Sequence, residues 1–274
     1  MACGTGLREG AAAPQPLSGR WPVTAEGYDR QFYAELEGTA LPSARRIVPM
    51  LLEWVEVHSA VDLGCGDGSW LSVLRERGVE HILGLDGPWV NLSQLKIPPE
   101  CFRRARMDQP VDPGERFDLA LSLEVAEHLP PARAEGFVAD LCALAPIVLF
   151  SAAVPDQGGT HHVNEQWPSY WVALFEKQGY RPIDAIRPAV WEDPEVHWWY
   201  RQNCVLFASP ETIEANPSLA SAAARTAGVV PALIHPELYR QAVESGRPSL
   251  KKWLRQGRAA FGRWLRKRSG QPAA

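Results

Sequence analysis

The chain has 274 residues, of which 46% are apolar and 22% charged, with a formal net charge of -4. This length suits one large α/β domain with terminal extensions, and the acidic balance argues against wrapping nucleic acid. The five cysteines, Cys3, Cys65, Cys101, Cys142 and Cys204, are scattered without a CxxC pair. That argues against a disulfide framework and against a zinc centre.

Residues 1–25 are small residues and prolines without periodicity, the pattern of a disordered tail. They lack the continuous apolar core of a signal peptide, and no apolar run reaches transmembrane length, so a cytoplasmic protein is expected. Residues 26–209 carry the pattern of the main domain. Ile47, Met50, Leu51, Trp54 and Val55 recur at helical spacing and lead into a first strand at 60–63. Further strands are predicted at 81–85, ending near 107, at 117–122 and at 147–152, the last continuously apolar as in a strand buried on both faces. Helices at 132–144 and 168–178 lie in this stretch. Such alternation predicts a parallel sheet with right-handed crossovers. Runs at 182–186 and 204–208 are expected to pair as an antiparallel edge hairpin. Residues 210–246 are Ala-rich and predict a helical extension, and 247–274 form a basic tail.

The strongest local signal is the run 61–70, in which Asp62 precedes Gly64, Gly66 and Gly68. Alternate glycines allow a tight turn and close approach of a ligand, and the turn opens a helix whose first amides face that ligand. Asp86 ends the second strand about 20 residues later, where a carboxylate accepts from both hydroxyls of a ribose. Asp108 follows the third strand, where a carboxylate could take an adenine amino group. The run 62–68 resembles motif I of class I S-adenosylmethionine-dependent methyltransferases, with Asp86 as their ribose-binding acid and Met107-Asp108 as their adenine-binding pair. The resemblance implies a Rossmann-like sheet of seven strands with helices on both faces and a reversed C-terminal hairpin. The competing nicotinamide reading is opposed by the GxGxG spacing, since Ser69 stands where GxGxxG needs a turn glycine one residue later. It is also opposed by Asp62, which suits a cationic amino-acid cofactor better than a pyrophosphate.

The fourth and fifth strands end in segments that should line one cleft. The first contains Glu124, Glu127 and His128, and the second contains His161, His162 and Glu165. Mixed carboxylate and imidazole donors suit a divalent ion such as Mg²⁺ or Mn²⁺. Glu124-x-x-Glu127-His128 with a distal histidine, best matched by His162, resembles the metal-binding pattern of methyltransferases that modify the terminal 2′-hydroxyl of small RNAs. The surrounding sequence departs from that family, so its RNA substrate does not carry over. Two other readings stay open. His161, His162 or Glu165 act as bases without metal, or the glutamates merely favour a helix N-terminus and the histidines are packed or loop residues.

The segments 162–171 and 198–203 resemble a bacterial group of methyltransferases associated with cell-surface polysaccharide or glycolipid synthesis. This implies O-methylation of a sugar, glycan or glycolipid hydroxyl. RNA or a small metabolite is the alternative acceptor, and a non-catalytic cofactor-binding partner of a glycan enzyme is the non-enzymatic alternative. The chain has 11 tryptophans, and Trp167, Trp171, Trp191, Trp198 and Trp199 fall near the predicted cleft, where aromatic faces could stack on sugar rings or simply fill core space. By analogy with class I enzymes, Tyr28 and Tyr33 belong to an N-terminal lid.

In the tail, Leu250, Trp253, Leu254, Gly257, Phe261, Trp264 and Leu265 fall on one helical stripe. Basic residues surround it, with no acidic residue after Glu244. This suits peripheral contact with the inner face of a membrane. Docking on its own domain or a second subunit is the alternative, and RNA binding a weaker third.

Overall fold

A computed structural model describes residues 30–226 and 228–246. The tails predicted at 1–25 and 247–274, Tyr28 and the Tyr33 side chain lie outside the described residues.

The domain opens with α1 (Arg30–Trp54), which leads into β1 (Ser59–Leu63), α2 (Ser69–Glu76) and β2 (His81–Asp86). Next come β3 (Phe102–Arg104), β4 (Leu119–Leu123), α3 (Ala134–Leu144), β5 (Ile147–Ser151) and α4 (Pro168–Lys177). The last sheet region is β6 (Arg181–Ile183), α5 (Ile186–Val190), α6 (Trp198–Asn203) and β7 (Val205–Ala208), followed by α7 (Pro210–Ala215) and α8 (Pro217–Thr226). Among the described residues the sheet has seven strands in the order β3-β2-β1-β4-β5-β7-β6. The first five run parallel, and β7 pairs antiparallel with both β5 and β6. The Rossmann-like sheet read from the sequence is therefore the observed one. The expected edge hairpin is also there: β6 and β7 pair antiparallel at the end of the sheet, with β6 outermost and α5 and α6 in the connection.

The side-chain period of two sorts each strand between two helical layers. Leu119, Leu121, Ile147 and Leu149 face the layer of α1, α2, α5 and α8. Ala120, Val148 and Phe150 face α3 and α4, where Phe175 stacks on Phe207 at 3.8 Å. β3 ends at Arg104 rather than near Met107. It is an exposed edge strand, and its register with Gly84–Asp86 runs out where β2 itself stops. Leu219 and Ala222 of α8 are fully buried in the first layer, so the compact unit continues to Leu233. Residues from Ile234 on form a separate unit, whose described part holds α9 (Pro236–Gly246) with Tyr239 and Val243 exposed.

One ion pair is sealed inside the fold. Arg187 donates from Nε and Nη2 to the Asp184 carboxylate at 2.7 and 2.6 Å, and to the Gln202 and Pro231 carbonyls. Among the described residues no helix is long and apolar enough to cross a membrane.

The chain order turns back on itself at β1: β2 and β3 go to one side, β4 and β5 to the other. In such sheets the crevice beyond the C-terminal ends of the strands at this switch point is the ligand site.

Candidate active site

A cavity of about 310 Å³ opens at that switch point, at the small end of the range for ligand pockets. Its wall joins the turn after β1, the ends of β2 and β4, and the loop after β5.

The turn after β1 is built by glycine for two reasons. Gly64, Gly66 and Gly68 have φ of 85°, 56° and 79°, a region side chains avoid. A Cβ on Gly64 would also lie 2.4 Å from Val125 Cγ2, so a side chain there would fill the cradle between β1 and β4. Asp86 stands opposite. Its Oδ2 accepts from the Gly66 amide at 2.8 Å, bracing the turn from the tip of β2. Burial raises the Asp86 carboxyl above its ordinary pKa, while the Gly66 and Gly87 amides and Trp89 pull it down. Trp89 lines the wall beyond, packed so closely over Gly87 that a Cβ there would touch its ring. Asp108 also lines the cavity, and Arg106 pairs with its carboxylate at 2.9 and 2.5 Å, holding it below the usual carboxylate range.

Of the predicted cofactor residues, Gly64, Gly66, Asp86 and Asp108 line the cavity; Asp62 and Gly68 stand behind the wall. Gly68 packs against Ile97 and shapes the turn. Asp62 is 2% exposed, and burial, reinforced by Asp86 and Asp67, pushes its carboxyl up to about 7. A raised carboxylate pKa costs the folded state nothing below about pH 4. The cost grows as pH rises through about 7. Asp62→Asn should therefore raise the melting temperature at pH 8 by several degrees and leave it unchanged near pH 4. A thermal melt series over this range checks it, and equal gains at both ends would contradict the assignment.

The second half of the cavity comes from the end of β4. Glu124 has φ 56°, a strained value for a side-chain-bearing residue, and redirects the chain into a 3-10 turn at Ala126–His128. Glu127 is fully buried, and neither carboxylate oxygen completes a hydrogen bond, although the Glu127 and Ala153 amides face it. Burial, then the Glu124 charge, pushes its carboxyl well above the usual range. His128 is held down to about 4, first by burial and then by His162, so its imidazole is neutral near pH 7. Its Nδ1 is buried and unpartnered, while the backbone of His161 and Thr160 contacts the ring. The loop after β5 brings His162 edge-on to His128, with ring centroids 4.8 Å apart. One donor atom from each of Glu127, His128 and His162 lies within 4.8 Å of the others.

These three are the predicted metal residues that the fold draws together. Glu124 lines the same cavity but stands outside the cluster. Its carboxylate accepts from Asn203 Nδ2 at 3.1 Å and Gln157 Nε2 at 3.0 Å. Of the predicted bases, His161 is exposed at φ 61° and off the cavity wall. Glu165 is also off the wall, its oxygens taken up by the Asp156 and Gly158 amides and by His162. Sequence reasoning missed Gln157 and Asn203, which lie 33 and 79 residues from Glu124 and carry no spacing signal. Trp199 lines the cavity, whereas Trp171 and Trp198 are buried and Trp167 is exposed.

A family model described as a methyltransferase domain matches residues 12–191. The chain belongs to this family. The methyltransferase domain thus carries the class I, S-adenosylmethionine-dependent character read from the glycine turn. Among curated relatives, a ubiquinone biosynthesis O-methyltransferase of Methylobacterium sp. (strain 4-46) is 36% identical over 100 residues, covering 34% of this chain and 39% of its own. The Methylobacterium nodulans enzyme of the same name is 33% identical over 117 residues, covering 40% and 43%. The chain therefore spans less than half the length of the curated relatives it matches. Among solved structures, Streptomyces venezuelae DesVI superposes with a TM-score of 0.52 at 12% identity, over 68% of this chain and 98% of its own. CalS10, an amino pentose methyltransferase from Micromonospora echinaspora, gives 0.51 at 14%, over 66% and 97%. At these identities the likeness is one of fold.

Proposed function

We propose that this methyltransferase domain transfers a methyl group to one hydroxyl of a vicinal diol on a sugar or glycan, aided by Mg²⁺ or Mn²⁺ held by Glu127, His128 and His162. The observation that carries this reading is the buried Glu127 carboxyl, without a hydrogen bond to either oxygen and grouped with two imidazoles. An unpaired buried carboxylate is costly, and a divalent cation would offset that cost.

S-adenosylmethionine supplies an electrophilic methyl group on a sulfonium centre. Gly64 and Gly66 would let it approach the backbone, Asp86 would accept from its ribose hydroxyls, and Asp108, steadied by Arg106, would face its adenine. A divalent cation supplies positive charge that orients two neighbouring oxygens and acidifies one. Glu124, anchored by Asn203 and Gln157, presents a carboxylate that can accept an acceptor O–H. With His161 and Glu165 off the wall, it is a better-placed proton acceptor than either. Trp199 offers an aromatic ring on the same cavity wall, and the likeness of 162–171 and 198–203 to surface-glycan methyltransferases supports a sugar. Much of the gain would come from holding oxygen and methyl in line.

The ubiquinone biosynthesis relatives favour oxygen as the atom methylated, and also a second reading in which the acceptor is a small molecule other than a sugar. The basic, acid-free sequence 247–274 supports contact with the inner face of a membrane, where a glycolipid acceptor would be met. Nucleic acid is not an expected acceptor.

Radiolabelled methyl transfer to a panel of diol-bearing glycosides and their monodeoxy analogues tests the reading. Transfer to the diols alone, lost with EDTA and restored by Mn²⁺, is expected. Transfer indifferent to EDTA would remove the metal, and transfer only to amines would remove O-methylation. Within the cofactor half, Asp86→Ala should weaken S-adenosylhomocysteine binding by about 10–100-fold, the worth of hydrogen bonds to a charged group. Unchanged affinity in a calorimetric titration would sink the Asp86 assignment.

A further inference from the structure

The loop after β5 contains more left-handed backbone than a connector needs. Asp156, Gly158 and His161 have φ of 65°, 74° and 61°. Two of the three bear side chains, for which this region is unfavourable. Such a path persists only where other interactions over-determine it.

Glu165 supplies them. Its Oε2 accepts from the Asp156 amide at 2.8 Å and its Oε1 from the Gly158 amide at 2.9 Å. The same Oε1 lies 2.8 Å from His162 Nδ1. One carboxylate therefore ties the start of the loop to its end. A second clamp comes from Glu127, whose carbonyl accepts from the Val163 and Asn164 amides at 2.8 and 2.9 Å. The residue that offers its carboxylate to the cluster thus also anchors the backbone next to His162.

These contacts fix the chemistry of the imidazole. A carboxylate already accepting two amide N–H groups is an acceptor, so Nδ1 of His162 carries the proton it donates. In the neutral ring the lone pair then sits on Nε2. His128 lies beside it with different surroundings. The backbone of Thr160 and His161 engages its ring, and its buried Nδ1 has no hydrogen bond. Gly159 completes the arrangement, because a Cβ there would come 2.3 Å from His162 Nε2. Any side chain at 159 would crowd the nitrogen that carries the lone pair.

We infer that Glu165 is the positioning residue of the metal site, not its base. Its carboxylate folds residues 156–162 and holds His162 as the Nδ1–H tautomer, so that Nε2 is the atom offered to a divalent ion beside Glu127 and His128. The inference rests on the metal reading above. Partners that orient a ligating histidine in this way typically contribute 10–100-fold to metal affinity.

Two measurements on the full chain test it. Mn²⁺ titration should show affinity 10–100-fold lower in Glu165→Gln than in the wild type, with S-adenosylhomocysteine affinity within twofold of wild type. Gly159→Ala should also lose Mn²⁺ affinity, because its Cβ takes the space beside His162 Nε2. In the metal-free protein, ¹⁵N-histidine correlation spectra should show His162 protonated at Nδ1, and in Glu165→Gln that preference should be lost. A role in loop folding alone would leave the tautomer where it was. Wild-type Mn²⁺ binding matched by Glu165→Gln would overturn the inference and keep the metal. If the wild type binds no Mn²⁺, the metal reading fails, and the tautomer decides the role of Glu165 alone: a proton on Nε2 of wild-type His162 would end it.

Discussion

Glu127→Gln is expected to abolish tight Mn²⁺ binding and to lower methyl transfer by on the order of a thousandfold, the scale on which a preorganised charge acts at a reacting centre. The same substitution should make the metal-free protein more stable. Glu127 is wholly buried with neither carboxylate oxygen hydrogen-bonded, and burial pushes its carboxyl well above the usual range, so near neutral pH the folded state bears the cost of a desolvated charge or of the proton that removes it. Removing that cost should return about 1–3 kcal/mol, or several degrees of melting temperature. Opposite signs for stability and function separate a ligand from a packing residue. Metal-free melting curves beside single-turnover assays with Mn²⁺ read both signs. A variant that is less stable and still active would show that Glu127 serves the core.

Arg187→Ala should destabilise the fold by about 3–5 kcal/mol, because it strands the buried Asp184 carboxylate without its partner. It also leaves the Gln202 and Pro231 carbonyls without their donor. The first of these adjoins Asn203, which steadies Glu124, so the damage should reach the cavity as a loss of transfer in the fraction that stays folded. Replacing both members of the pair, Arg187→Met with Asp184→Leu, should recover much of the stability, since exchange of a buried pair for apolar residues is often neutral. Denaturant unfolding of the wild type and these two variants checks this. A loss below about 1 kcal/mol in Arg187→Ala would mean that water reaches Asp184.

The central sheet was legible because its strands advertise themselves locally. β5 is apolar at every position but the last, and the turn after β1 needs glycine where the backbone enters left-handed space. Asp86 was legible for the same reason: the tip of β2 faces that turn. The edge strand β3 was not, since its end is set by where β2 stops pairing and not by its own residues. Within the site, Glu127, His128 and His162 were visible as residue types that gather at strand ends. The division of labour among their neighbours was not. Glu165 and His161 have the chemistry of bases in sequence, and only the loop path turns one toward amides and the other toward solvent. Gln157 and Asn203 are ordinary amides until the fold sets both against Glu124.

The most direct test of a cavity that joins cofactor and metal is paramagnetic broadening of the proton resonances of bound S-adenosylhomocysteine by Mn²⁺. Strong broadening in the wild type, absent in Glu127→Gln although the ligand still binds, is the predicted result. Sharp resonances in the wild type at saturating Mn²⁺, or equal broadening in both proteins, would contradict a metal at Glu127, His128 and His162 beside the cofactor.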